Sequence, residues 1–394
     1  RYTPPPADEL MTLVYTSGTT GNPKGVMMSY GNFAFAARAF LQWFPSEGNE
    51  RLFSYLPLAH LLERACIEMG SLIWHAEVEF LENIDSLAEQ LAKVAPTRFF
   101  GVPLVYGRIQ AGVLQKLPEA KLKRLMKIPL VKQLLRRKIL KAIGFHNVRS
   151  CVSGAAPMPV STMAFFRNVL GIELLEGYGM TENMAYLSAC LPGQVRIGSV
   201  GKPFPDAGVK LSDEGEILCK HAGCTKGYYK QADKTAETFT QDGYLRTGDK
   251  GRLDEDGYLY ITGRVKDIFK TAKGKYVAPA PVEGAMARNT YIDQLCLVGM
   301  NLTQPIMVTS LTEEGRKQSR ETLQQQLLAD MEAVNQELEA HERMAKLLVV
   351  SDTWLPDNGF MTPTMKVKRN VIEERYAEAI TTAAADRSSL IEWL

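Results

Sequence analysis

The segment Thr16-Ser17-Gly18-Thr19-Thr20-Gly21-Asn22-Pro23-Lys24-Gly25 gathers glycines, hydroxyls and a lysine into one short stretch. Glycines let backbone N–H groups approach an anion closely, the hydroxyls of Thr16, Ser17, Thr19 and Thr20 can donate to its oxygens, and Lys24 supplies compensating charge. A polar hairpin turn would need only two or three such residues, so phosphate binding is the stronger reading. The spacing Gly18-x-x-Gly21-x-x-Lys24-Gly25 is not that of a Walker A loop, and Val26-Met27-Met28 after it reads as a strand rather than a helix.

The elements that must position this loop follow from periodicity. Leu13-Val14-Tyr15 and Val26-Met27-Met28 read as strands on either side of it, and Asn32 is placed to cap a helix running through Phe44. Leu52–Leu56 reads as a strand, Ser86–Val94 as a helix and Arg98–Val102 as a buried strand. Alternating helices and apolar strands predict an α/β fold. Residues Glu214 to Thr262 carry short strands between Glu214-Gly215, Asp242-Gly243 and Asp256-Gly257 turns, which predicts a β-rich subdomain. Beyond Arg264 a smaller α+β unit is expected, with a long helix over about Ser319–Leu348, a strand at Leu347–Ser351 and a final helix after Lys368.

Further segments, in chain order, resemble the core motifs of the adenylate-forming (AMP-binding, ANL) superfamily, which includes acyl-CoA synthetases, luciferases and the adenylation domains of peptide synthetases. The loop with Tyr15 before it matches the phosphate-loop signature. Tyr55-Leu56-Pro57-Leu58-Ala59-His60, Ser153-Gly154-Ala155-Ala156-Pro157 and Gly177-Tyr178-Gly179-Met180-Thr181-Glu182 follow. So do Tyr244-Leu245-Arg246-Thr247-Gly248-Asp249, Gly263-Arg264-Val265-Lys266-Asp267 and Thr362-Pro363-Thr364-Met365-Lys366. The resemblance implies an acyl-CoA synthetase-like fold: a large α/β domain over 1–265 with its β-rich subdomain, and a small mobile α+β domain over 266–394. It also implies a substantial region ahead of the phosphate loop, so the large domain is expected to be N-terminally incomplete in this chain.

Roles carried over from the resemblance must also make chemical sense. Tyr178, between Gly177 and Gly179, offers a face for adenine, or is a core tyrosine in a glycine-rich turn. Gly154, Ala155 and Ala156 would border the nucleotide. Glu182 is a hard oxygen ligand suited to Mg²⁺ on ATP, and Thr181 would contact the α-phosphate, whereas the plainer reading of Thr-Glu is a capped helix start. Asp249 could accept both ribose hydroxyls, or sit in a Gly-Asp turn. Arg264 has the donor fork for a nucleotide contact. Lys266 falls at the interdomain hinge, and Lys366 would reach the adenylation centre, although Lys368 and Arg369 beside it also suit a solvated basic face. His60 reads as a gate or carboxylate contact rather than a general base, because a carboxylate is already ionised at neutral pH.

The runs Tyr55–Arg64, Asp242–Lys270, Gly274–Pro279 and Met361–Lys366 look most like long-chain fatty acyl-CoA synthetases. The implied reaction activates a fatty acid with ATP and Mg²⁺ to an acyl-adenylate and transfers it to CoA. A fatty acyl-AMP ligase loading an acyl-carrier protein is the alternative, as are a luciferase-like side activity and a non-catalytic adenylate-binding relative. Lys24, Glu182, Asp249, Arg264 and Lys366 are all present, which speaks against the last. Ala280, where relatives often carry an acid, and Gly263 in a common Asp position are departures from the pattern.

Composition bounds these readings. The 394 residues suit two or three domains, and 45% apolar with 23% charged is ordinary globular composition. A net charge of +2 argues against nucleic-acid binding. Residues 116–141, however, hold ten Lys/Arg and one acid, so they carry +9 and leave −7 for the rest. This segment reads as one or two basic amphipathic helices broken at Pro129, either a solvated pair or a surface for anionic lipid headgroups. The six cysteines lack a C-x-x-C pair or a His cluster, which speaks against zinc or disulfides and fits a reducing cytosol. With no apolar run long enough to span a bilayer, a cytoplasmic enzyme is expected, with peripheral contact at the inner membrane surface through 116–141.

Overall fold

The computed structural model describes residues 3–16, 23–83, 86–362, 366–386 and 388–394. They group into two compact units. The second takes in Gly248–Gly251 and runs continuously from Thr262 to the end of the chain.

In the first unit the strands Arg98–Gly101, Ser150–Ser153 and Leu174–Tyr178 lie parallel and in that order, extended by antiparallel Ser188–Ala189 and Lys202–Pro203. Parallel neighbours must be joined by crossovers, and helices Pro103–Lys116 and Pro129–Ala142 lie in the first of these, each with its proline at the helix start where no N–H is needed. Phe53, Phe99, Tyr106, Phe145, Phe166 and Leu174 form the centre of this core. Strands Arg51–Ser54 and Glu77–Phe80 make a separate parallel pair, the first two residues shorter than expected at its C-terminal end. Leu10–Thr16 and Lys24–Ser29 form an antiparallel hairpin with Thr16 opposite Lys24, as expected of a loop between two strands.

The following helix, Tyr30–Trp43, corrects one expectation. Its N-cap is Ser29, whose hydroxyl accepts from the Asn32 N–H at 3.2 Å, while the Asn32 side chain accepts in return from the Ser29 N–H at 2.9 Å. The Asn32 amide thereby points its N–H₂ at the carbonyls of Ala222 and Cys224, both 2.9 Å away.

The β-rich region is a four-stranded sheet, Lys210–Leu211, Glu216–Cys219, Leu245–Leu253 and Leu259–Arg264, in sequence order. Its three turn glycines, Gly215, Gly243 and Gly257, all adopt φ near +80°, the left-handed region that the Glu-Gly and Asp-Gly pairs foretold.

The second unit has a mixed sheet. Ile292–Val298 runs antiparallel to Ile306–Leu311, which is parallel to Lys346–Val350, itself parallel to Ile391–Trp393. Alternate side chains serve opposite faces: Leu297, Met307, Leu347 and Val349 meet the helices Pro279–Met286 and Arg320–Glu337, and Val298, Val308, Leu348 and Val350 meet Arg369–Arg375 and Ala377–Ala385. The long helix ends at Glu337, eleven residues before the expected limit. Asn335 causes the reversal by exchanging two hydrogen bonds with the backbone of Met344, which sends the chain back as a strand. Among the described residues no helix is long and apolar enough to cross a membrane.

Three buried acids in the first unit are held differently. Glu50 pairs with Arg98 at 3.0 Å, both side chains out of solvent, with Thr97 donating to its other oxygen. Among the described residues Glu63 and Glu176 have no cation partner, and burial pushes both up to about 7. Glu63 accepts from the Ser54 hydroxyl and Glu176 from the Met158 N–H at 3.1 Å. Truncating Arg98 to Ala leaves the buried Glu50 carboxylate with Arg149, 3.4 Å away and partly exposed, as its remaining cation, and should cost about 3 kcal/mol in chemical denaturation. Because Glu63 and Glu176 bind protons more tightly when folded than when unfolded, their contribution is complete below about pH 4.5 and lost as pH rises through 7. Denaturation midpoints should therefore fall from about pH 5 to 8, and Glu176→Gln should flatten the slope.

Candidate active site

In an open α/β sheet, ligands bind beyond the carboxyl ends of the parallel strands. Here the strand Ser150–Ser153 delivers Gly154, Ala155 and Ala156 to that edge, and Leu174–Tyr178 delivers Gly177, Tyr178 and Gly179. A Cβ on Gly179 would lie 2.3 Å from the Ala185 carbonyl carbon, so only glycine fits. Three residues that carry side chains, Ala155, Met184 and Ala185, adopt φ between +53° and +69°, an accumulation of left-handed backbone around this edge. Tyr178 is half-buried and packs partly against Leu187, Ile217 and Leu245.

Thr181 and Glu182 lie in a 3₁₀ turn closed by the Met180 N–H donating to Asn183 Oδ1 at 2.8 Å. Glu182 is only 6% exposed. Its carboxylate accepts from the Tyr228 hydroxyl at 2.7 Å, and its backbone carbonyl accepts from the Thr225 N–H at 2.7 Å. Tyr228 also stands under Lys24, whose Nζ is 4.9 Å from the ring centroid. The residues around it are bonded to the strand Lys24–Ser29: Met27 N donates to Gly227 O at 3.0 Å, Tyr229 N to Gly25 O at 2.8 Å, and the Thr225 hydroxyl to Met27 O at 2.6 Å. Lys24 and Glu182, far apart in sequence, are thus joined through Tyr228. Sequence reasoning missed this tyrosine, whose only signal is a Gly-Tyr-Tyr run with nothing to mark its chemistry. Thr16 faces Lys24 across the mouth of the hairpin; Ser17, Gly18, Thr19 and Thr20 lie outside the described residues.

His60 precedes a helical turn, its N–H donating to Pro57 O at 2.8 Å and its Nδ1 accepting from the Leu62 N–H at 3.2 Å. That acceptance leaves the ring proton of the neutral form on Nε2. An apolar cavity of about 70 Å³ extends from Phe40, Trp43, Leu62 and Phe204 to Gly154, Ala155, Gly177 and Gly179, so its far wall is aromatic and its near wall is the glycine-rich edge.

The second unit holds the remaining candidates. Asp249 and Arg264 form an ion pair of 2.9 Å in which the carboxylate is nearly buried and the guanidinium is half exposed. Gly248 O accepts from the Val265 N–H at 2.8 Å and Arg264 O from the Asp267 N–H at 3.2 Å, which fixes the turn carrying exposed Lys266. Lys366 is exposed, with its N–H on the Thr362 hydroxyl at 3.1 Å and its carbonyl accepting from the Thr362 N–H at 2.8 Å. Arg369 is not part of a free basic face. It is bonded to Glu283 at 2.8 Å and to the Leu297 carbonyl.

Chemically, the first unit offers a buried carboxylate with one oxygen engaged by Tyr228, a lysine, a threonine and an aromatic face beside an apolar cavity. As a hard donor Glu182 suits a magnesium ion. The second unit offers a carboxylate–guanidinium pair and an exposed lysine.

Residues 1–229 match the model of the AMP-binding enzyme family and residues 266–388 that of the AMP-binding enzyme C-terminal domain. The long-chain-fatty-acid–CoA ligase FadD15 of Mycobacterium bovis is 32% identical over 94% of this chain and 68% of its own length. The long-chain-fatty-acid–CoA ligase 6 of Rattus norvegicus is 32% identical over 96% of this chain and 61% of its own length, so the chain spans about two thirds or less of these relatives. Among solved structures, the adenylation domain of a carboxylate reductase from Mycobacterium chelonae superposes with a TM-score of 0.78 at 25% identity, covering 96% of this chain and 61% of that one. The anthranilate CoA ligase AuaEII with anthranoyl-AMP gives 0.76 at 22% identity over 95% and 69%, a likeness of fold. On both family matches and these relatives, the chain belongs to the adenylate-forming, AMP-binding enzyme family of ligases.

Proposed function

We propose that the protein to which this chain belongs activates a long-chain fatty acid. A carboxylate oxygen attacks the α-phosphorus of ATP, pyrophosphate leaves, and the sulfur of CoA then displaces AMP from the acyl carbon, losing its proton. The observation that carries the fatty-acid reading is the aromatic-lined cavity ending on Gly154, Ala155, Gly177 and Gly179. Its 70 Å³ is roughly half of a ~150 Å³ cavity that accepts benzene, so an acyl chain enters by displacing side chains such as Trp43. The names of the relatives support the same substrate class.

In this reading Tyr178 stacks on adenine, Thr181 contacts the α-phosphate, and Thr16, Ser17, Gly18, Thr19, Thr20 and Lys24 bind the phosphates. Asp249 holds the ribose while Arg264, its ion-pair partner, contacts the nucleotide. Glu182 would hold Mg²⁺, which when bound neutralises phosphate charge. Lys366 adds a point charge to the pentavalent phosphorus, since positioning and charge neutralisation are what this chemistry requires. His60, oriented by the Leu62 N–H, guards the carboxylate rather than removing a proton. Residues 1–265 and 266–394 act as large and small domains with Lys266 at the hinge.

A lipid surface is the proposed second partner. The helices Glu119–Leu125 and Pro129–Ala142 carry the basic segment, and Ile128, Leu130 and Leu134 stand out from it at 52%, 77% and 67% exposure beside Lys127, Arg137 and Lys138. Exposed leucines one helical turn apart and flanked by lysines fit an anionic interface.

Carboxylate-dependent ATP–pyrophosphate exchange should appear with long-chain acids in the full-length protein, followed by thioester formation with CoA; no exchange with any acid overturns the ligase reading, and exchange with thioester formation only on a carrier protein overturns CoA as acceptor. Lys366→Ala should lower adenylation by about 10²-fold or more, with far less effect on thioester formation from supplied acyl-adenylate. Vesicles rich in anionic lipid should bind the protein in a salt-sensitive way that Leu130→Glu with Leu134→Glu abolishes. Binding indifferent to both would remove the membrane contact.

A further inference from the structure

We propose that Cys219, His221 and Cys224 form a binding site for a divalent cation of the zinc class, with three protein ligands and a fourth position left open. No Cys-x-x-Cys pair marks it, and the expectation from sequence was that the cysteines bind no metal. The fold nonetheless brings three candidate ligands together. Cys219 ends the strand Glu216–Cys219, the chain turns through Lys220–Gly223, and the ligand atoms of the three residues come within 4.8 Å of one another. Tetrahedral zinc with bonds of about 2.0–2.3 Å needs its ligands roughly 3.5 Å apart, so closure on an ion takes movements of about an ångström.

The surroundings fix these groups independently of any ion. The imidazole stacks on Phe35 at 5.0 Å and 22° and meets the edge of Tyr186 at 5.6 Å. Its Nδ1 accepts from the Gly223 N–H at 3.1 Å, which leaves the proton of the neutral ring on Nε2, buried with no hydrogen-bond partner among the described residues, so ligation through either nitrogen replaces the Gly223 bond with a bond to the ion. The Cys219 sulfur accepts from the Asn183 amide at 3.5 Å, and the Asn32 amide grips the carbonyls of Ala222 and Cys224. Second contacts of this kind orient ligands in metal sites. Cys66, Cys151, Cys190 and Cys296 are buried apart from this cluster, whereas Cys224 and His221 are half-buried, which gives an ion a route in.

The site also abuts the catalytic candidates. Asn183 and Thr225, neighbours of Glu182 and Cys224 in sequence, each bond across this contact, so an ion here stiffens the support of Glu182. Zinc takes both sulfurs as thiolates, and binding releases thiol protons to solvent.

The test is a titration of chelator-treated, reduced full-length protein with Co²⁺ and then Zn²⁺. One Co²⁺ per chain should bind with a sulfur-to-cobalt charge-transfer band in the near ultraviolet, displaced by stoichiometric Zn²⁺. Cys224→Ser and His221→Gln should each weaken binding at least tenfold. In the unaltered protein, Zn²⁺ should slow alkylation of Cys224 read by mass spectrometry, a measurement that needs no variant to fold. Absence of the band, affinity in both variants unchanged from that of the unaltered protein, or alkylation of Cys224 unchanged by Zn²⁺ would overturn the proposal, as would recovery of a Cys219–Cys224 disulfide with no metal uptake.

Discussion

A carboxylate taken out of water must be hydrogen-bonded or paired, and in the first unit the one that matters most is Glu182, which takes its bond from the Tyr228 hydroxyl. That requirement fixes Tyr228, and Tyr228 brings residues 225–229 against the strand Lys24–Ser29. The strand in turn sets where Lys24 stands opposite Thr16. A hydroxyl-to-carboxylate bond is modest in isolation, but here it joins two segments with Thr225, Gly227 and Tyr229 supplying backbone bonds on either side.

Much of this was legible in the sequence. The glycine and hydroxyl content of 16–25, the Asp-Gly turns and the apolar strands at 98–102 and 347–351 carry their physics locally. The motif residues that the fold can be asked about do gather: Gly154–Ala156 and Gly177–Gly179 at one strand edge, Asp249 with Arg264 in one ion pair. What stayed hidden depends on contacts across many residues. Tyr228 has no local mark, since its partner Glu182 lies 46 positions away. Asn32 looked like a cap because Asn caps helices, yet Ser29 takes that place and frees Asn32 to hold the carbonyls of Ala222 and Cys224. The stop at Glu337 escaped notice because it rests on Asn335 reaching Met344, not on a glycine or proline.

The polar interior divides by how charge is handled. Arg98 and Lys346 are buried cations whose positive charge is met by acids, Lys346 by Asp386 at 2.8 Å and by Glu392. Glu63 and Glu176 instead rely on hydroxyl and amide donors. Both lie next to motif residues, Glu63 three positions after His60 and Glu176 immediately before Gly177, so the rows that carry the candidate chemistry are backed by acids that hold a proton near neutrality.

The left-handed backbone at Ala155, Met184 and Ala185 has a thermal consequence. Such conformations cost side-chain-bearing residues on the order of 1 kcal/mol each and persist only while their neighbours insist on them. Warming loosens neighbours before it melts sheets. The rim beside the cavity should therefore relax at temperatures where the strands beneath are still intact, and heat inactivation should precede unfolding.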